Sequence, residues 1–231
     1  MKKVAILQSN YIPWKGYFDL ISQVDEFIFY DDIQYTKHDW RNRNKIKTPN
    51  GLLWLTVPVG ECISRLICEV EISNNTWQKK HWQTISQFYK KAPYFKEYKD
   101  LFEDFYLNET HTNLAKMNQT LIKRICKDIL GIKTKFKDSR AFNLQGKKEE
   151  RILELLQKTD ANCYLSGPAA KNYIDEQHFI DKKIGLHWMD YSGYPEYSQL
   201  FGQFEHTVSI LDLIFNVGKE APFYVYGWRN K

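Results

Sequence analysis

Residues 3–32 read KVAILQSNYIPWKGYFDLISQVDEFIFYDD, and this stretch decides the fold of the chain. Residues 3–8 have the apolar character of a buried strand, and residues 14–24 place apolar side chains at helical spacing. Residues 26–31 predict a second strand. Strand, helix and strand in this order are typical of a βαβ unit, whose strands pair in parallel through a right-handed crossover. We therefore expect an α/β fold with a Rossmann-like, mostly parallel sheet.

Patterns further along the chain extend this fold. Asn50-Gly51 lies between two strand-like segments and predicts a β-hairpin, since this dipeptide supplies the positive φ of a tight turn. A mostly helical insertion is predicted at about 74–130, as part of a single domain over residues 1–231. Further strands are predicted at 66–72, 133–139, 162–167 and 184–191, and further helices at 147–158 and 207–215.

Composition limits the classes of function. The 231 residues contain no apolar run near the ~20 needed to cross a bilayer, so we expect no membrane insertion. The first residues are too short an apolar stretch for a signal-peptide core, which predicts a cytoplasmic protein with reduced cysteines. A net charge of +5 suits an anionic small ligand as well as nucleic acid. No extended basic stripe or helix-turn-helix pattern is present, so we predict no nucleic-acid partner.

Polar and planar side chains cluster after the first two predicted strands. Ligands of open α/β sheets sit outside the carboxyl ends of the strands, so this cluster predicts a small-molecule site. The candidate catalytic residues are Asp32, His38 and His81, and the candidate substrate-binding residues are Gln8, Asn10, Tyr11, Trp14, Asp31, Trp40, Arg41, Asn42, Arg43, Ser166 and Gly167.

Each candidate has a functional and a structural interpretation. Asp31 and Asp32 point to opposite faces if extended, so at most one faces the site, as a general base, a sugar-binding acceptor or a metal ligand. Arg41 and Arg43 would form a fork for a diphosphate, although a solvated hairpin arm has the same pattern. His38 and His81 are the best general bases because imidazole titrates near neutrality, but a lone histidine is more often structural.

The common catalytic, nucleotide-binding and metal-binding motifs are missing from the sequence. Ser166-Gly167 follows a predicted strand and offers a hydroxyl or an amide at the sheet edge, but there is no G-x-S-x-G elbow. Walker A and G-x-G-x-x-G sequences are also missing, as is a His/Cys ligand cluster. We therefore predict no metal and no resident cofactor.

The chain resembles the WbqC-like proteins. The resemblance is carried by QSNYIPWKGYFD (8–19), DDIQY (31–35), WRNRNKI (40–46), WLTVPV (54–59) and YLSG (164–167), and it covers essentially the whole chain. It implies a bacterial protein of surface-polysaccharide biosynthesis, that is, of O-antigen or lipopolysaccharide, with a role as an amino-acid transferase.

The function expected from the residues and the resemblance together is an aminoacyl or acyl transferase. Its acceptor would be a nucleotide-linked amino sugar, with Tyr11 or Trp14 stacked on the base or sugar. Its donor would carry glycine or a related acyl group as a phosphopantetheine thioester on an acyl or peptidyl carrier protein. The alternatives are a glycosyltransferase or nucleotide-activating enzyme of the same pathway, and a non-catalytic binding or scaffold protein. The turn Asn10–Trp14 lacks the His-x-Gly-His of nucleotidylyltransferases, which argues against nucleotidyl transfer.

Overall fold

A parallel five-stranded sheet forms the centre of the computed structural model, which describes residues 1–230. The strands along the chain are β1 (Lys3–Leu7), β2 (Glu26–Phe29), β3 (Arg43–Thr48), β4 (Gly51–Thr56), β5 (Lys135–Asp138), β6 (Cys163–Ser166) and β7 (Gly185–Trp188). The sheet has the order β5-β2-β1-β6-β7, and β3 and β4 form a separate antiparallel hairpin. The predicted α/β class with a mostly parallel sheet is thus confirmed.

Helices cover both faces of the sheet. They are α1 (Lys15–Ser22), α2 (Thr76–Tyr89), α3 (Phe95–Glu103), α4 (Leu114–Arg124), α5 (Lys148–Lys158), α6 (Glu176–Asp181), α7 (Ile210–Val217) and α8 (Ala221–Val225). Within residues 1–230, none of the helices has the length and apolar character needed to cross a membrane.

Alternation along the strands divides the core into two layers. In β2, Phe27 packs with α1 and the helical insertion, whereas Ile28 packs on the opposite face with α5 and α6. In β1, Ala5 and Ile6 divide in the same way. Successive side chains of a strand point to opposite faces, so the near-continuous apolar runs seen in the sequence are those of strands buried on both sides.

The segment between β2 and β5 contains the hairpin as well as the predicted helical insertion. The insertion is formed by α2, α3 and α4, with a π-helical turn directly after each of the last two. The predicted strand over 66–72 is wrong, because this segment forms a 3₁₀ turn at Ile67–Glu69. Its backbone N–H groups bond to different neighbours: Ile67 donates to Ile33, and Ile72 donates to Thr112.

The order of the strands creates a topological switch point. From β1 the chain passes to β2 and then β5 on one side, while β6 and β7 lie on the other side of β1. Loops that leave β1 and β6 therefore diverge at the carboxyl edge of the sheet. Such a crevice is where open α/β sheets bind ligands.

Candidate functional site

A cleft of about 1070 Å³ opens at the carboxyl ends of β1, β2 and β6. Gln8 follows β1, Tyr30 and Asp32 follow β2, and Ser166 ends β6. The volume is slightly above the ~300–1,000 Å³ typical of small-molecule sites. The cleft is therefore large enough for a nucleotide-sized ligand, and it lies where the switch point places it.

The start of α5 forms the basic wall of this cleft. Gly146, Lys147 and Lys148 line it, and both lysines are exposed. A Cβ on Gly146 would lie 2.9 Å from the backbone nitrogen of Arg151, so only glycine allows the chain to pass this close to the first turn of α5. The free N–H groups and the positive end of a helix favour anions.

Asp32 lies on the cleft wall in an ion pair with Arg151. Ser139 donates a hydrogen bond to the other carboxylate oxygen. Arg151 also donates to the carbonyl of Leu144 at 3.1 Å, which holds the guanidinium in place. The carboxylate is thus held by the protein at the edge of the cleft.

Arg41 joins two parts of the loop after β1. Its guanidinium donates to Gln8 Oε1 at 3.1 Å and to Asn10 Oδ1, and it lies 3.5 Å from Asp39. The carbonyl of Arg41 accepts from Asn118 in α4 at 2.8 Å. These contacts bring Gln8, Asn10 and Arg41 together, although 31 residues separate Asn10 from Arg41.

A smaller pocket of about 160 Å³ borders this cluster at Asn10. It is lined by Asn10, Pro13, Trp14, Trp40, Asn44 and Thr207. Asn44 donates from its amide to the carbonyls of Tyr11 and Ile12, at 3.1 and 2.9 Å. Ile12 has a φ of 36°, an unfavourable conformation for a β-branched residue, so these bonds hold a strained turn beside the pocket.

The ring of Tyr11 lies in the core. Tyr11 is fully buried, and its hydroxyl contacts His81 Nδ1 at 2.8 Å and the Tyr106 hydroxyl at 2.5 Å. Burial lowers the pKa of His81 to about 4, against the opposing effect of a hydrogen bond to the backbone of Thr56. His81 is thus neutral at pH 7, and neither side chain lines the cleft or the small pocket.

Asp31 is also fully buried and serves as a structural link. One oxygen accepts from the backbone N–H of Ser9 at 2.8 Å, and the other accepts from the Gln119 amide at 2.8 Å. Burial raises the pKa of Asp31, although these hydrogen bonds oppose the shift. The side chain ties the loop after β1 to α4.

The remaining candidate residues in and before the β3–β4 hairpin do not converge on one site. His38 is exposed in a turn with a φ of 55°, and its carbonyl accepts from Arg43. The Arg43 guanidinium lies 4.3 Å over the Trp54 ring, so Arg41 and Arg43 have different partners. Asn42 is buried and donates to the carbonyl of Val57 at 2.9 Å.

Comparison with known proteins identifies the family. The model of the WbqC-like protein family matches residues 8–224. The chain belongs to the WbqC-like protein family. A relative from Mycobacterium tuberculosis (strain ATCC 25618 / H37Rv), "Uncharacterized protein Rv1507c", is 52% identical over 228 residues, which cover 97% of this chain and 98% of the relative. No solved structure gives a significant match.

The two cavities of this WbqC-like protein divide the predicted site residues. Gln8, Asp32, Ser166 and Gly167 line the cleft. Asn10, Trp14 and Trp40 line the small pocket, and Arg41 bonds to both groups through Gln8 and Asn10. Tyr11, Asp31, His38, His81, Asn42 and Arg43 line neither cavity.

The sequence patterns did not predict the residues after β5 that line the cleft of this WbqC-like protein. Lys147, Lys148 and Arg151 belong to the helix predicted at 147–158, to which no functional role was assigned from the sequence, and Tyr173 lies after β6. The one local signal was a glycine followed by two lysines at a helix start, Gly146-Lys147-Lys148. These three residues indicate a binding site only once the crossover from β5 to β6 is known to place them beside β1.

Acidic, histidine and cysteine side chains of the WbqC-like chain do not gather into a metal-type group. Within residues 1–230, no three or more of them lie close enough to hold a metal ion. A further cavity of about 610 Å³ lies at the amino ends of β1, β2 and β5, where Glu26 pairs with Lys2 at 3.3 Å and Lys137 at 3.2 Å. It is remote from the switch point, and we assign it no role.

Proposed function

We propose that this WbqC-like protein is a cytoplasmic transferase of bacterial surface-polysaccharide biosynthesis, acting on a nucleotide-linked amino sugar. The observation that carries the proposal is the cleft of about 1070 Å³ at the switch point, with the start of α5 as its basic wall. Its volume suits a whole nucleotide sugar, and its position is the one that open α/β sheets use for such ligands.

The diphosphate would bind at the start of α5. Lys147 and Lys148 supply positive charge there, and the first N–H groups of the helix supply donors. Glu149 also borders the cleft, but its carboxylate is bonded to His178 at 2.5 Å and to the backbone N–H of Asp175 at 2.7 Å. Both of its carboxylate oxygens are thus already engaged by the protein.

The transfer step would be aminolysis of an acyl thioester. The sugar amine attacks the thioester carbonyl, a C–N bond forms, the C–S bond breaks, and the thiol leaves with a proton. The donor would be a glycyl or related group on the phosphopantetheine arm of a carrier protein. Of the three candidate bases, Asp32 is the one that lines the cleft, so we assign to it the removal of the proton that converts the sugar ammonium into the attacking amine. The backbone amide of Gly167, which also lines the cleft, would face the oxyanion.

Binding is tested first, by calorimetry with UDP-, GDP- and dTDP-sugars, with and without amino groups. We expect one amino-sugar nucleotide to bind, and the Lys147→Ala/Lys148→Ala variant to weaken it at least tenfold. The matched control is Lys79→Ala/Lys80→Ala, which removes two exposed lysines of α2. Equal losses in both variants, or no binding of any nucleotide sugar, would overturn the assignment of the cleft.

Turnover is tested with the bound nucleotide sugar and an acyl thioester of the carrier type. We expect Asp32→Asn to lower kcat at least a hundredfold while the Kd of the nucleotide sugar changes little. Release of the nucleotide or of pyrophosphate would instead indicate a glycosyltransferase or a nucleotide-activating enzyme. Binding without any turnover would indicate a scaffold protein.

A further inference from the structure

The small pocket of about 160 Å³ is a separate cavity with its own chemistry. Its volume is well below the ~300–1,000 Å³ of sites for drug-sized ligands, so its size suits a single ring and not a whole nucleotide. No residue lines both this pocket and the cleft. Its occupant is therefore recognised by a different set of side chains from those at α5.

Two indole rings form the apolar walls. Trp40 is 41% exposed and is braced by Trp54, whose ring centroid lies 5.5 Å away. Trp14 is held edge-on by Tyr191 at 5.2 Å and by Tyr194 at 5.9 Å. Each ring keeps its place without a ligand, so its apolar surface is presented at little entropic cost.

Gly16 makes the position of Trp14 possible. A Cβ at this residue would lie 2.3 Å from Cζ2 of the Trp14 indole. The ring thus folds back over the first turn of α1, where a side chain would otherwise stand. A glycine in a helix costs about 1 kcal/mol relative to alanine, and here it is what allows the pocket wall to form.

Hydrogen-bond donors stand at the rim of the pocket. Asn10 gives its amide oxygen to Arg41, which orients the amide N–H₂ group away from the guanidinium. That N–H₂ group has no acceptor in the described part of the chain. Lys45 lies beside the pocket, where its ammonium donates to Thr207 Oγ1 at 3.2 Å and lies 5.8 Å from the centroid of the Trp40 ring. An unpaired amide donor and a nearby ammonium beside apolar rings match a ligand with an apolar face and oxygen atoms around its edge.

We propose that the small pocket is a subsite for a pyranose ring. A pyranose has a face of C–H groups that packs on indole and an equatorial rim of hydroxyl oxygens that accepts hydrogen bonds. A nucleobase would share the apolar contact, but its edge offers few acceptors toward donors spread around a rim. The assignment is independent of the nucleotide in the cleft, because the cleft lysines take no part in it.

The test measures the binding of free monosaccharides by saturation-transfer NMR and by calorimetry, at sugar concentrations up to tens of millimolar. The panel is glucose, galactose, mannose, glucosamine, N-acetylglucosamine and glucuronic acid, with uridine and adenosine as base-containing competitors. We expect at least one sugar to bind, with at least tenfold weaker binding in Trp40→Ala and in Asn10→Ala. The matched control is Trp188→Ala at the end of β7, which removes an indole that contacts Glu176 and lines neither cavity.

Several results would overturn the proposal. They are no binding of any of the six sugars, binding that Trp40→Ala leaves unchanged, and binding of the nucleosides alone with the same loss in Trp40→Ala. Lys147→Ala/Lys148→Ala should leave monosaccharide binding unchanged within twofold. That variant therefore separates a failure of the saccharide subsite from a failure of the nucleotide assignment in the cleft.

Discussion

Arg41 is the residue through which the two cavities meet. Its planar guanidinium holds Gln8, on the wall of the cleft, and Asn10, on the wall of the small pocket. A lysine has the same charge but a single ammonium, which cannot reproduce this two-armed geometry. The contribution of Arg41 is thus its shape as much as its charge.

We therefore predict that Arg41→Lys raises the Kd of the nucleotide sugar about tenfold, which corresponds to about 1.4 kcal/mol. Calorimetry on the purified variant measures this. Arg43→Lys is the control, because Arg43 contacts neither Gln8 nor Asn10 and packs on Trp54 instead. Equal affinities in Arg41→Lys and in the parent protein would contradict the role of the guanidinium.

His81 gives the fold a defined dependence on pH. Its pKa in the folded protein is about 4 because of burial, against an ordinary value of 6.5. As the pH falls below 6.5, the unfolded chain binds a proton at this residue before the folded chain does. The free energy of unfolding therefore decreases progressively between pH 6.5 and about pH 4, by about 3 kcal/mol in total. This contribution of His81 is fully present above pH 6.5.

We predict that His81→Gln flattens this part of the stability profile. Urea unfolding at a series of pH values between 7 and 4 measures the difference, and His38→Gln serves as an exposed control. If the slope of the variant between pH 6.5 and 4 equals that of the parent, the buried neutral imidazole is not its source.

Among the elements, α1 shows how one local sequence shapes both a helix and a pocket. We predict that Gly16→Ala lowers the Tm of the parent, because the added Cβ overlaps the Trp14 ring. In a Trp14→Ala background the same substitution should raise the Tm, since about 1 kcal/mol of helix propensity is gained with no overlap. Thermal unfolding of the four proteins of this cycle tests the change of sign. A loss of stability in both backgrounds would show that the Trp14 ring is not the obstacle.

The elements that could be predicted are those whose pattern is local. Strands β1 and β2 are apolar on both faces and α1 has a helical period, so each is recognisable from its own residues. The segment 66–72 has the composition of a strand but no neighbouring strand with which to pair. Its N–H groups are divided between Ile33, Asp31 and Thr112, and composition alone cannot show that.

The same reasoning applies to the lining of the cleft. The positions of Gln8, Asp32, Ser166 and Gly167 on the cleft were predictable because a strand precedes each of them and parallel strands end at one edge. Tyr11 was misleading, since a polar, aromatic residue in a turn has the same appearance whether it faces a ligand or bonds to His81. Lys147 and Lys148 were not predictable, because only the crossover from β5 to β6 brings them to β1.

On the scale of the whole molecule, the carboxyl end of the described chain is bound to α1. Arg229 donates to the fully buried Asp19 at 2.7 Å, and Tyr194 donates to the same carboxylate at 2.5 Å. Burial raises the pKa of Asp19, while its hydrogen bonds with Arg229 and Tyr194 oppose the shift. Segments 175 and 210 residues away in sequence from Asp19 thus converge on one carboxylate of the helix that bears Trp14.

We predict that Arg229→Ala destabilises the fold by about 2 kcal/mol at pH 7, because a buried carboxylate loses its cation. Burial already raises the folded pKa of Asp19, and loss of the Arg229 guanidinium, which opposes that shift, raises this pKa further. The deficit should therefore shrink as the pH falls and Asp19 binds a proton. Denaturant unfolding at pH 7 and at about pH 4.5 measures both effects. A deficit that is the same at both pH values, or that Asp19→Asn/Arg229→Ala does not reduce, would contradict the pairing.

The double attachment of Arg41 has a thermodynamic consequence. Gln8 and Asn10 are held by two arms of one rigid guanidinium, so a ligand that draws Gln8 into the cleft shifts the group that orients the Asn10 amide beside the small pocket. Free energies of this kind are reciprocal: whatever occupancy of the cleft does to affinity in the pocket, occupancy of the pocket does equally to affinity in the cleft. The ligand of the cleft would thus change the Kd of the ligand of the small pocket by the same factor as the reverse. Arg41→Ala would abolish this cooperativity.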